Sequence, residues 1–84
     1  MSVTSSFSQQ QQFHLLVNIR GSDHYMTVLP GGNRRFLIIE TGKTLGEIRF
    51  NEHFHCTSNQ TSLSNIVIEQ LNAGIKNHYW HRHH

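Results

Sequence analysis

The sequence predicts an α+β domain: a four-stranded antiparallel β-meander with one C-terminal amphipathic helix packed on one face, in the order β-β-β-β-α. Between residues 13 and 50, apolar side chains follow the two-residue period of strands, and turn residues separate the segments. From residue 62 the apolar period lengthens to three and four residues, which indicates an amphipathic helix. Strands joined by short turns pair as neighbours, so a meander covered by the helix is expected.

The first predicted hairpin joins residues 13–19 to residues 24–29. Alternate side chains of the first strand share one face, namely Phe13, Leu15, Val17 and Ile19. The turn is Arg20-Gly21-Ser22-Asp23, in which glycine tolerates any φ and Ser and Asp bond their own backbone. Pro30-Gly31-Gly32-Asn33 ends the second strand, because proline donates no ladder hydrogen bond.

The second predicted hairpin, residues 34–50, contains the central strand Phe36-Leu37-Ile38-Ile39 and turns at Thr41-Gly42-Lys43. Its second half breaks the alternation, because Leu45 falls on the face opposite Ile48 and Phe50. A lone glycine within a strand favours a β-bulge, so we place one at Gly46. Phe54 keeps the parity of Phe50 and is expected to extend the fourth strand.

The predicted helix carries its apolar side chains at three- and four-residue steps: Leu63, Ile66, Val67, Leu71 and Ile75. Thr61 or Ser62 is expected to be its N-cap. Gly74 is expected to end it after about 12 residues, as glycine commonly does at helix C-termini.

The composition predicts a single small domain. The chain has 84 residues, of which 36% are hydrophobic, and we expect a flexible leader at 1–12, the domain at 13–80 and a His-rich tail at 81–84. A single cysteine, Cys56, excludes an internal disulfide and fits a reducing compartment. No apolar run approaches the roughly 18 residues of a membrane span. We therefore predict a cytoplasmic protein with no membrane contact and no cofactor.

Two histidine-rich segments offer metal ligands, His53, His55 and Cys56 in one and His78 and His81 in the other. Zinc accepts both residue types, and the segments could meet if the tail folds back over the fourth strand. A paired cysteine motif is missing. We therefore interpret these histidines as solvated and predict no metal site, with zinc binding by these five residues as the alternative.

One stretch resembles a known toxin family. Gly21-Ser22-Asp23-His24-x-Met26, followed by Gly32-Asn33-Arg34-Arg35, resembles the HicA-type mRNA interferases, in which a histidine on a strand hairpin is catalytic. The resemblance implies RNA cleavage with His24 as general acid or base. It covers about 15 residues, a strand replaces the family's preceding helix, and Asp23 stands where the family's first histidine falls. A turn followed by an exposed histidine at a strand edge explains the same residues, and we adopt that interpretation.

Five cations lie near predicted strand ends and turns and could form one basic rim, with Tyr25 beside it: Arg20, Arg34, Arg35, Lys43 and Arg49. Such a rim would bind either a partner protein or nucleic acid, on which aromatic side chains can stack. Seven Lys and Arg against five Asp and Glu is a mild basic excess, so we expect weak, non-specific nucleic-acid binding at most.

These observations predict a non-enzymatic interaction module that binds a macromolecular partner, as a regulator or inhibitor. A phage or mobile-element origin is suggested by analogy of size alone. One helix covers one sheet face, which leaves an apolar set on the other face: Leu16, Leu29, Leu37 and Ile39. We therefore predict a homodimer that buries this set. The alternative is a cover formed by Phe7, Tyr79 and Trp80.

Overall fold

The computed structural model describes residues 7–8 and 10–82 of the chain. In this part of the chain five strands form one antiparallel sheet in sequential order, and one helix follows. Each strand pairs with the next, and the elements are β1 (Phe13–Ile19), β2 (Ser22–Pro30), β3 (Arg35–Glu40), β4 (Lys43–Phe50), β5 (Cys56–Gln60) and α1 (Asn65–Arg82). The predicted class, an antiparallel sheet with a C-terminal helix, is confirmed.

The number of strands is corrected from four to five among the described residues. The additional strand β5 consists of Cys, Thr, Ser, Asn and Gln, and its side chains are exposed or half-buried. A solvated edge strand of this kind has no apolar alternation, which is the signal that sequence analysis depends on. Phe54 does not extend β4: its φ of 62° places it in the turn before β5.

Two hairpins have the tight turns that the twist of antiparallel strands favours. In the β1–β2 turn, φ is 54° at Arg20 and 86° at Gly21; in the β3–β4 turn it is 48° at Thr41 and 79° at Gly42. Positive φ at both central residues is the type I′ pattern. The predicted bulge is also confirmed: Ile38 pairs with Gly46 and Ile39 with Thr44, so Leu45 is the additional residue.

The hydrophobic core lies between α1 and one face of the sheet, here called the inner face. Its fully buried members include Met26, Val28, Ile38, Ile48, Phe50, Leu71 and Ile75. Ile66, predicted to face the core, is 71% exposed. At about 100° per residue, Ile66 is rotated roughly 140° from Leu71 around the helix, whereas the buried Ile68 is rotated about 60°.

Gly74 does not end the helix, which continues to Arg82. A Cβ atom at Gly74 would lie 2.9 Å from Cδ1 of Leu15, so the glycine lets α1 approach β1 closely. Here glycine serves packing and not helix termination, two roles that a single sequence does not distinguish.

The helix also begins later than predicted. The Ser64 carbonyl accepts the first helical bond, from the amide of Ile68 at 3.0 Å, which puts Ser64 at the N-cap position. Thr61 instead accepts from the amide of Leu63 through Oγ1 at 3.0 Å, within the connection between β5 and α1. The predicted caps Thr61 and Ser62 are therefore wrong by two to three residues.

Part of the predicted leader is held against the sheet. Phe7 pairs with Gly31, and the Ser8 amide donates to the Pro30 carbonyl at 2.8 Å. At the other end, α1 crosses the boundary that we drew at residue 80. Residues 1–6, 9 and 83–84 lie outside the described residues, as do the side chains of Trp80, His81 and Arg82. The predicted cover residue Trp80 is therefore among the side chains not described.

Asn51 organises the turn between β4 and β5. Its Oδ1 accepts from the amides of His53 and His55, both at 2.9 Å. We expect Asn51→Ala to lower the free energy of unfolding by about 1–2 kcal/mol, because two amides lose their acceptor. Asn51→Asp keeps the acceptor oxygen and is the matched control, expected within about 0.5 kcal/mol of the parent. Urea unfolding measures both variants, and equal losses would show that the acceptor is unimportant.

Candidate functional site

An open cleft lies at the end of the sheet where β2 meets β3 and β4 meets β5. Its volume is about 490 Å³, within the range of small-ligand pockets. Five parts of the chain contribute: the end of β2, the loop of residues 31–34, β3, the β4–β5 turn and the C-terminal half of α1. The lining residues are Pro30, Gly31, Arg34, Phe36, Phe54, Lys76 and Tyr79.

The floor of the cleft is aromatic and tightly packed. Phe36 is 4% exposed, and its ring centroid lies 5.7 Å from that of Phe50 and 6.2 Å from that of Tyr79. Phe54 packs on Phe50 with centroids 6.1 Å apart. The cleft therefore offers fixed apolar walls to a ligand.

Two cations stand at the rim of this floor. Arg34 and Lys76 both line the cleft and are exposed. No acidic residue lines the cleft, and neither cation forms an ion pair with a described acidic side chain. Their positive charge is therefore available to an anion.

The loops that border the cleft hold non-glycine residues in the left-handed region: Asn33 at φ 60°, Arg34 at 58° and Phe54 at 62°. Asn adopts this conformation readily, whereas a bulky residue such as Phe rarely does. Each such residue costs on the order of 1–3 kcal/mol, and strain of this kind is concentrated at binding and catalytic sites. The strained backbone makes the cleft the strongest candidate for a functional site.

The opposite side of the sheet, here called the outer face, carries an apolar patch. Leu16 and Tyr25, which pair across β1 and β2, are 61% and 65% exposed. Leu37 and Ile39 lie half-buried on the same face, and Leu29 is 5% exposed. The four residues predicted for a dimer contact thus share one face, although Leu29 is already covered within the monomer.

The five predicted rim cations do not come together. Arg20 and Lys43 lie by the β1–β2 and β3–β4 turns, at one end of the sheet, while Arg34 and Arg35 lie at the other. Arg49, the next-to-last residue of β4, pairs with Arg35 on the outer face and so lies at the same end as Arg34 and Arg35. Because successive turns of a meander alternate between its two ends, closeness in sequence does not bring these charges into one rim.

Arg35 is already engaged. Its Nε donates to the Gly32 carbonyl at 3.0 Å, its guanidinium lies 5.2 Å from the ring centroid of Phe7, and its Nη1 is 3.9 Å from Glu47. The predicted cover residue Phe7 thus packs beside Arg35, whereas Tyr79 packs against Phe13 and Phe36 on the inner face.

His24 is neither fully exposed nor on an edge strand, which corrects our expectation. It lies on β2, between β1 and β3, with 32% of its side chain exposed. Its Nδ1 lies 2.5 Å from Oε2 of Glu40. A histidine oriented by a carboxylate is one part of a nucleophilic site. The hydrogen-bond partner of this imidazole among the described residues is the Glu40 carboxylate.

The proposed metal ligands lie in separate places. His53, His55 and Cys56 are in the β4–β5 turn and the start of β5, whereas His78 stacks on Phe13 of β1 with centroids 3.7 Å apart. Among the described residues, no group of three or more His, Cys, Asp or Glu side chains is arranged to hold a metal ion.

A second cavity, of about 440 Å³, lies between β5 and α1 and is lined by polar residues that include Cys56, Asn59, Glu69 and Asn72. The Asn72 Oδ1 is buried there, and no described group donates to it. A hydrogen-bond donor from a ligand would satisfy this oxygen.

Comparison with protein-family models, with curated proteins and with solved structures returns no match for this chain. Within the described residues, no helix combines the length and the apolar character that a membrane crossing requires.

Of the seven lining residues, only Arg34 was predicted from the sequence as a binding-site residue, and five were not connected with a site at all: Pro30, Gly31, Phe36, Phe54 and Lys76. One signal in the sequence could have pointed to the cleft: the Pro30-Gly31-Gly32-Asn33 segment, which forms the loop between β2 and the strand that carries Phe36. Lys76 carries no such signal, because an exposed lysine is ordinary on a helix surface.

Proposed function

We propose that the protein is a small non-catalytic interaction module that binds another protein, as a regulator or inhibitor. The observation that carries the proposal is the apolar patch of the outer face. Leu16 pairs with Tyr25 across β1 and β2, and Leu37 and Ile39 lie on the same face of the neighbouring strand β3. Contiguous apolar surface on a small protein typically marks a protein contact.

The rest of the outer face is charged, which supports a specific orientation of the partner. Glu47 and Arg35 form an ion pair there, and Arg49 is exposed beside them. His14 stacks on Tyr25 with ring centroids 5.5 Å apart and shares a hydrogen bond with Thr27 Oγ1 at 3.0 Å. The Tyr25 ring is thus held in place, which lowers the entropy lost when a partner covers it.

We further propose that a second copy of the chain occupies this face when the partner protein is absent. Two arrangements would form a two-fold dimer: pairing of edge strands, or packing of sheet on sheet. The edge of β1 is already engaged at Asn18, whose amide donates to Gln70 Oε1 at 2.8 Å and whose carbonyl accepts from Gln70 Nε2 at 2.7 Å. This disfavours pairing through β1, and because the apolar side chains lie on the face of the sheet and not on its edge, we propose sheet-on-sheet packing.

The size of the face sets the strength of such a dimer. Five strands about 4.8 Å apart and about seven residues long give a face of roughly 550 Å² in projection. Stable interfaces bury about 800 Å² per partner. We therefore expect a weak dimer, with a dissociation constant in the micromolar range.

Leu16→Asp is expected to convert the dimer to a monomer without unfolding it, since the side chain is largely exposed. Sedimentation equilibrium between about 10 and 500 μM measures the association, which should weaken at least 100-fold. Ile66→Asp is the matched control: it places the same charge at another exposed apolar position, on α1, and should leave association unchanged. A parent protein that remains monomeric at the highest concentration contradicts the dimer.

Capture from a lysate, with and without nuclease, tests the wider proposal. A protein that remains bound to the parent after nuclease treatment, and is lost from the Leu16→Asp variant, supports binding through the outer face. Retained RNA or DNA, together with loss of every protein after nuclease treatment, would instead favour the nucleic-acid alternative.

A further inference from the structure

We propose that the cleft between the β2–β3 loop and α1 is a second binding site, which holds a segment of a partner protein where acidic residues flank a large apolar side chain. This site lies on the other side of the sheet from the outer face. Phe36 and Tyr79 line it from the inner side, whereas Leu37, next to Phe36, projects to the outer face. The inference goes beyond the dimer contact and does not depend on it.

The walls determine the apolar part of the ligand. Pro30, Phe36, Phe54 and Tyr79 surround a space of about 490 Å³, and no charged group lies on the floor. Burying one large aliphatic or aromatic side chain against these walls is favourable by about 1.5–3 kcal/mol.

The rim determines the charged part of the ligand. Arg34 and Lys76 contribute two positive charges, and no described acid neutralises them. Two carboxylates balance these charges, and arginine can bind one of them through two parallel hydrogen bonds. The ligand is therefore an amphiphilic anion, with carboxylates on either side of an apolar group.

The packing of the aromatic rings favours a peptide over a nucleic acid. A base needs an open ring face on which to stack. The Phe36 ring is 4% exposed and is inclined by 50° to Tyr79 and by 48° to Phe50, so these rings form no flat platform. A side chain needs only apolar walls. Tyr25, whose ring is exposed, lies on the outer face, outside the cleft.

The backbone around the cleft supports a preformed site. The left-handed residues Asn33 and Arg34 direct the loop that carries the arginine, and Phe54 contributes its ring from a turn that Asn51 stabilises. The Gly31 amide also donates to the Arg35 carbonyl at 2.8 Å, which closes the loop. A preformed site loses less conformational entropy on binding.

The test uses three synthetic peptides and NMR titration of the full chain. The first, acetyl-Gly-Ser-Glu-Phe-Glu-Gly-amide, carries both features of the ligand. In the second, both Glu are replaced by Gln, and in the third, Phe is replaced by Gly. We expect the first to shift the amide resonances of Gly31, Arg34 and Lys76, and the other two to bind at least tenfold more weakly.

Variants locate the site. Arg34→Ala and Lys76→Ala should each weaken binding of the first peptide about tenfold, while circular dichroism shows an unchanged fold. Lys43→Ala removes a cation at the other end of the sheet and should have no effect. Leu16→Asp should also bind the peptide normally, so failure of the outer-face proposal remains distinguishable from failure of this one.

Three outcomes would overturn the inference. The first is equal binding of the Glu and Gln peptides, and the second is binding that survives in the double variant Arg34→Ala/Lys76→Ala. The third is a single-stranded oligonucleotide that shifts the same resonances more strongly than the first peptide does, which would assign the cleft to nucleic acid.

Discussion

Replacing Gly46 by alanine is expected to lower the free energy of unfolding by about 4 kcal/mol or more, which for a domain of this size removes most or all of its stability. Two causes act together. The φ of Gly46 is +141°, a conformation that is essentially restricted to glycine. An added Cβ would also lie 2.2 Å from the Gln60 carbonyl oxygen and 2.9 Å from Cγ2 of Thr61. The nearer of these two atoms, the Gln60 oxygen, belongs to the backbone and cannot rotate away as a side chain can. The end of β5 would therefore have to move away from β4.

Thermal unfolding followed by circular dichroism measures this loss, which corresponds to a fall in melting temperature of roughly 15–30 °C. Gly32→Ala is the matched control. Its added Cβ would meet nothing within 4 Å, and its φ lies outside the left-handed region. We expect Gly32→Ala to melt within a few degrees of the parent. Similar melting temperatures for the two variants would show that the bulge does not require glycine.

The elements that sequence analysis predicted correctly are those in which one apolar face repeats. β1 alternates clearly, β3 is a run of four large apolar residues, and the interrupted parity around Leu45 correctly placed the bulge at Gly46. β5 was missed because its side chains are polar and mostly exposed. The helix was predicted too short, because Gly74 has two possible roles and the packing against Leu15 that selects one of them is tertiary.

The cleft could not be predicted, for a reason of topology. Arg34 and Lys76 are far apart in the sequence, and neither position differs in pattern from an ordinary solvated cation. They line one cleft because the β2–β3 loop and the C-terminal half of α1 lie at the same end of the sheet. Sequence analysis grouped Arg34 with Arg20 and Lys43, which the alternating turns of a meander place at the opposite end. The predicted apolar set of the outer face, by contrast, follows directly from strand parity and does share one face.

Asn77→Pro distinguishes the observed helix from the shorter one that the sequence suggested. Asn77 is exposed and lies three residues beyond Gly74, inside α1. Proline there removes the amide that would donate to the Ala73 carbonyl, and its ring collides with that carbonyl. We expect a loss of about 3 kcal/mol or more in the free energy of unfolding, or roughly 12–24 °C in melting temperature.

Local unfolding of the last turns of α1 would not avoid this loss of free energy of unfolding. His78 stacks on Phe13 with ring centroids 3.7 Å apart, and Tyr79 lies 5.7 Å from Phe13 and 6.2 Å from Phe36, so fraying beyond residue 76 would release these contacts. The near-ultraviolet circular dichroism of the aromatic residues should therefore fall together with the helical signal at 222 nm. Asn77→Ala is the control and should melt at or slightly above the parent temperature, because alanine is the better helix former. A proline variant that melts with the parent would place the end of the helix near Gly74, and Lys76 and Tyr79 would then no longer be fixed beside Arg34.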